Sequence, residues 1–214
     1  MNFKSCFDKI VSEFSSGKYR VQVERARQEF FSLSGTVHEE NREYTDRINL
    51  FLDWFVFERS LEDEDMTPLN MYLFDHGKDM PEEEKKMFEG MRSSVLGLFI
   101  VKKLREDSVK VRDLFTDKSY NVDDDYILSF AHKGDIFQSR IITIGKKNIF
   151  GVGFCFHNPG SESYTRSEIK KIKNMDRAYH IDLMMKLALM KVKTEEYPHV
   201  PTKYIYSENP KVRF

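Results

Sequence analysis

Apolar positions along this chain change their period twice. They recur every three to four residues up to about residue 92, alternate in short runs from Val95 to Phe156, and return to helical spacing after Thr165. Phe3, Phe7, Ile10, Val11 and Phe14 predict an amphipathic helix over Phe3–Phe14, stopped by Ser15-Ser16-Gly17. A second helix is expected from Tyr19 to Leu33. Val23, Ala26, Phe30 and Leu33 share one face, Arg25 and Glu29 pair on the solvent side, and Gly35 ends it. The third, Glu40 to Arg59, starts acidic and then reads almost wholly apolar from Ile48 to Phe57, the profile of a helix buried on most sides. Asp53 interrupts that run. Its carboxylate must reach solvent or find a donor, and Arg47 and Arg59, six residues away on either side, lie nearly off its face; a partner has to come from elsewhere.

Thr67-Pro68 reads as an N-cap with proline at the first helical position, opening a short helix closed by Gly77. Pro81 followed by Glu82, Glu83 and Glu84 opens another, which fades between Gly90 and Ser94. Strands are then expected over Leu96–Leu104, Ser108–Phe115 (with a bulge near Asp113) and Ser119–Val122. Asp123-Asp124-Asp125 reads as a loop, and Tyr126–Phe130 as a strand or a loop edge. Ile136–Gly145 and Ile149–Phe156 complete the set. Gly151 and Gly153 within the last strand suit the sharp coiling of a small barrel, and Asn158-Pro159-Gly160 ends the region. A long helix over Thr165–Val192 follows, apolar on nearly every side from Ile181 onward, and then a tail with Tyr204, Ile205 and Tyr206 free to pack back.

Composition adds little that this pattern does not already imply. Of 214 residues, 40% are hydrophobic and 32% charged, as in a globular protein with a real core. Eighteen Phe against one Trp point to tightly filled cores or an apolar surface kept for a partner. Net charge is −7 over 1–92, +1 over 93–164 and +5 over 165–214, so the front and the tail can attract each other within a chain or between copies, unless the two signs are merely solvated faces. Cys6 and Cys155 read as small buried hydrophobes in a reducing compartment rather than a disulfide. The charged start MNFKSCFDKIVSEF does not resemble a signal peptide, and no apolar run approaches the ~18 residues of a membrane span, so a cytoplasmic location is expected.

Candidate chemistry is sparse. Arg166, Lys170, Lys173 and Arg177, spaced 4-3-4, form one stripe of the last helix, with His180 continuing it. That stripe suits phosphates or an acidic partner surface, or is simply a polar face turned to water. No aromatic interleaves with it to stack on bases. The three consecutive aspartates lack the spacing and glycine of a calcium loop, and His180 and Asp182 diverge by about 200° on a helix. Cys155 lies in an apolar strand, where a thiol is usually inert. No nucleophile elbow, phosphate loop or dinucleotide fingerprint is present, so no catalytic residue, metal or cofactor is expected.

FFSLSG (Phe30 to Gly35), FLDWFVFERSL (Phe51 to Leu61) and TPLNMYL (Thr67 to Leu73) together resemble a group of uncharacterised bacterial proteins with a helical front and a following β-rich segment. The resemblance covers about the first two thirds of the chain and implies no activity and no site residues. The expected fold is α+β: a helical layer (1–92), a small coiled antiparallel sheet or barrel (93–160), and a C-terminal helix with its tail (161–214) packed on both. The expected function is a non-enzymatic cytoplasmic binding or adaptor protein, its partner another protein or a second copy. The alternatives are nucleic-acid binding through the barrel and basic stripe, and an enzyme of unrecognised type built on Asp53, His157 and His180.

Overall fold

The computed structural model describes residues 2–40 and 43–214. The helical front comprises α1 (Phe3–Phe14), α2 (Arg20–Ser34), α3 (Tyr44–Phe57), α4 (Pro68–His76) and α5 (Glu82–Arg92). Local signals work as their chemistry requires. Asn2 caps α1 by accepting from the Ser5 amide, and the Thr67 hydroxyl accepts from the Asn70 amide at the start of α4. The expected start of the third helix at Glu40 abuts residues 41 and 42, which lie outside the described residues; the described helix begins at Tyr44.

Two details of α2 differ from expectation. Its buried line runs through Gln22, Ala26, Phe30 and Ser34, while Leu33 is 50% exposed. The cause is Arg47 on α3, whose Nη2 donates to Ser34 O and Oγ and to Gly35 O at 2.7, 2.8 and 3.1 Å, drawing the polar side of the helix end inward. Arg25 and Glu29 do not pair with each other; Arg25 reaches Glu62 and Glu29 reaches Arg59.

The middle of the chain is an antiparallel sheet of β1 (Val95–Leu104), β2 (Val109–Asp113), β3 (Ser119–Val122), β4 (Ile136–Ile144), β5 (Lys147–Phe150) and β6 (Cys155–Phe156). Spatial order is β3-β2-β1-β4-β5, with β6 beside β4. The sheet curls into a half-barrel whose outer strands meet at one end. There the Asp123 amide donates to Asn148 O at 3.1 Å, and Asn148 Nδ2 donates to Asn121 O at 2.9 Å.

Both faces of the sheet are covered, which accounts for the continuous apolar run in β1. Phe99, Val101, Val111, Phe137 and Phe150 fill the concave side, whereas Leu98, Ile100 and Ile136 pack outward against Leu183, Leu187 and Met190. The expected bulge at Asp113 is absent. β2 keeps its alternation to its end, and Asp113 accepts from the Phe115 amide and the Thr116 hydroxyl. Leu114 joins the outer core instead, and the register shift sits in the facing strand between Val101 and Lys103.

Residues 125–128 form a single helical turn, α6 (Asp125–Leu128), rather than a strand or loop edge. Asp124 caps it by accepting from the Ile127 amide. The expected long final helix is two, α7 (Glu162–Ile172) and α8 (Arg177–Glu196), broken at Asn174-Met175-Asp176, where Asp176 is extended (φ −62, ψ 158). A short α9 (Thr202–Ile205) follows. α8 contributes Met185 and Ala188 to the helical core and Leu183, Met184, Leu187 and Met190 to the outer sheet core, so it is shared by both. Among the described residues no helix is long and apolar enough to cross a membrane.

Candidate functional site

Asp53 has the partner from elsewhere that its position on α3 demanded. Arg140, from the centre of β4, is buried with it; Arg140 Nε donates to Asp53 Oδ1 and Oδ2 at 3.1 and 3.0 Å, and Nη2 lies 2.9 Å from Oδ2. Nη2 also reaches Glu58 at 2.7 Å, Nη1 donates to Ser94 Oγ at 3.2 Å, and the guanidinium lies 4.0 Å from the Phe57 ring centre. Burial opposes charge on Arg140, but Asp53 and Glu58 outweigh it and raise its pKa. Burial likewise works against the Glu58 anion, and Arg140 and Arg177 outweigh that and lower its pKa. With all three groups engaged, this network is a strut between α3 and the sheet.

A separate cleft lies elsewhere. It holds about 590 Å³ and is bounded by the start of α3 (Glu43, Asp46), the α6 turn (Tyr126, Phe130), the β6 region (Phe154, Phe156, His157) and Lys191 of α8, with His132 and Asp135 at the rim. Tyr126 and Phe130 are 54% and 39% exposed. They meet edge to face at 5.0 Å, and Phe130 meets Phe156 the same way at 5.1 Å. Among the described residues three carboxylates and one ammonium line the cleft, a net charge of −2. Lys191 is already engaged, 2.9 Å from Glu43 and 2.7 Å from Glu195. Burial, and after it Glu43, push the Asp46 carboxyl above the usual carboxylate range. Tyr126 is pushed up by burial and then by Asp46 and Asp124.

His157, only 7% exposed, also lines this cleft. Its Nδ1 is 3.0 Å from the Tyr206 hydroxyl, which is 3.3 Å from the Leu187 carbonyl. A carbonyl only accepts, and a phenol has one proton. Both bonds are satisfied only if Tyr206 donates to Leu187 and Nδ1–H donates to Tyr206. Nε2 is then a bare acceptor, and it has no hydrogen-bond partner among the described residues. Burial, with Lys191 and Arg47 adding to it, pushes the pKa of His157 down to about 3, so the ring is neutral at ordinary pH. Cys155, two residues before it, is a buried free thiol pushed up to about 11 by burial.

The basic residues singled out from the sequence are distributed differently. Arg166, Lys170 and Lys173 of the α7 segment surround a shallow 210 Å³ depression with Arg112 of β2 and Asp117. Arg166 pairs with Glu162 at 2.9 Å and Lys173 with Asp117. Arg177 stands beyond the helix break and binds Glu58 at 2.6 Å, away from the other three. His180 stacks on Phe115 at 4.2 Å and donates Nε2–H to Ile172 O at 3.1 Å. Asp53, His157 and His180 therefore sit in three separate environments. Among the described residues no group of three His, Cys, Asp or Glu is placed to hold a metal ion. Reading the sequence missed the cleft itself, because its wall comes from five distant segments; the exposed pair Tyr126 and Phe130 was its only local sign.

A family model described as "Family of unknown function (DUF7986)" matches residues 8–183. No curated protein and no solved structure matches the chain.

Proposed function

The chain belongs to this family of unknown function, and on that premise we propose that it is a non-enzymatic binding module that docks a protein partner in the aromatic cleft between α3, α6, β6 and α8. One observation carries the reading: two large rings, Tyr126 and Phe130, are held exposed at the mouth of a concave, mixed apolar and polar cleft. Rings left in water at a cleft are costly unless a partner covers them, and pockets of roughly 300–1,000 Å³ with a few convergent polar groups are the usual form of a specific binding site. A bacterial cytoplasm is the proposed setting; two buried thiols not joined in a disulfide suit a reducing compartment.

Pull-down from native lysate with the wild type and with a Tyr126→Ala/Phe130→Ala double variant tests the reading. A partner retained by the wild type and lost by the variant supports it. The same proteins retained by both, or no protein retained by the wild type, overturns it.

A further inference from the structure

Resting on that docking reading, we infer that the cleft recognises an arginine side chain carried on a basic segment of the partner. The groups around the cleft share one chemistry. Glu43, Asp46 and Asp135 are acceptors. Among the described residues the one ammonium in the lining, Lys191, is occupied by Glu43 and Glu195, which leaves that lining negative. Aromatic faces of Tyr126, Phe130, Phe154 and Phe156 complete the wall. Acceptors with net negative charge beside π faces match a flat cation with several N–H donors, and guanidinium is the side-chain group with that form.

The molecule itself shows how such a group is held. Arg140 lies over the Phe57 ring at 4.0 Å with its donors shared between Asp53 and Glu58. The cleft assembles the same parts, an aromatic face with carboxylates from α3, at the surface instead of in the core. Arginine is favoured over lysine because it stacks flat on a ring while its in-plane N–H groups reach several acceptors together; an ammonium is a compact point charge without that planar fork. Burial, and after it Glu43, hold the Asp46 carboxyl above its usual range, and a cation placed between the rings and the α3 start would favour its anion.

Calorimetric titration of the full chain with short peptides that differ at one central residue tests the assignment. The central residues are arginine, its uncharged isostere citrulline, lysine and glutamate. Arginine is expected to bind about tenfold or more tightly than citrulline or lysine, with affinity falling as salt rises and no binding by glutamate. Tyr126→Ala and Asp46→Asn, both changed at the cleft edge, are each expected to weaken the arginine peptide about fivefold or more, while Arg166→Glu, on the separate depression beside α7, leaves it unchanged. Equal binding of arginine and citrulline, or of arginine and lysine, overturns the assignment, as does insensitivity to Tyr126→Ala. These results separate from the docking reading. If all four peptides bind alike and all are lost with Tyr126→Ala, docking in the cleft stands and the arginine assignment falls. If the lysate partner is indifferent to the double variant, the docking reading falls and the inference with it.

Discussion

At the scale of single residues the strongest constraint is the charge buried between α3 and β4. Asp53 and Arg140 are both removed from water, and each is tolerable only because the other is there. Removing one partner is therefore far worse than removing all. Arg140→Met is expected to cost about 3–5 kcal/mol in urea unfolding, because Asp53 is left buried without its cation while Glu58 keeps only Arg177. Adding Asp53→Asn and Glu58→Gln to that variant is expected to recover part of the loss. If the triple variant is no more stable than Arg140→Met alone, the buried charge is not the cause of the cost.

The elements depend on close approach as much as on propensity. The loop Gly151–Phe154 separates β5 from β6 and brings the sheet against α3. A Cβ built on Gly153 would lie 2.9 Å from Leu50 Cα, a backbone atom that cannot turn aside, and one on Gly151 would lie 3.0 Å from Asp53 Oδ1. The two glycines were expected to coil one strand over Ile149–Phe156; that strand is broken, and they lie in the loop after β5, where the lack of a side chain lets α3 come close. Gly153→Ala is thus expected to lose about 1–3 kcal/mol in thermal or urea unfolding, through displacement of α3. A loss within the roughly 0.5 kcal/mol of an ordinary surface substitution would sink this account.

For the whole molecule, acidic front and basic tail meet inside the chain at Lys191–Glu43 and Arg177–Glu58, the first on the cleft and the second on the strut. The neutral His157 under the cleft sets a pH dependence for the entire fold. Its folded pKa, about 3, lies below the ordinary value of 6.5, so the unfolded chain binds the proton first as pH falls. The stability it contributes is complete above about pH 6.5 and drains away between there and about pH 3. Urea unfolding is expected to show a loss of about 2 kcal/mol between about pH 7.5 and 5, and His157→Gln to flatten that slope. An equal slope in the variant would assign the dependence to other groups.

Much of this architecture was legible in the sequence. The period of apolar positions placed α1 and most strands, and Thr67-Pro68 and Pro81 marked their helix starts, because these signals act through the backbone within a few residues. Asp53 announced that its carboxylate must reach solvent or find a donor, since an unpaired buried carboxylate is costly anywhere. Which of these it would be lay beyond reach: Arg140 is 87 residues away, and only the packing of β4 on α3 makes them neighbours. The same limit explains the misplaced bulge, the unbroken final helix and the unseen cleft. Strand register, the turn at Asn174-Met175-Asp176 and the meeting of Asp46, Tyr126, His157 and Lys191 are settled by contacts between distant segments. Local chemistry dictated what each segment needed; tertiary packing alone chose which segment would supply it, because that choice is the joint optimum of every buried surface at once.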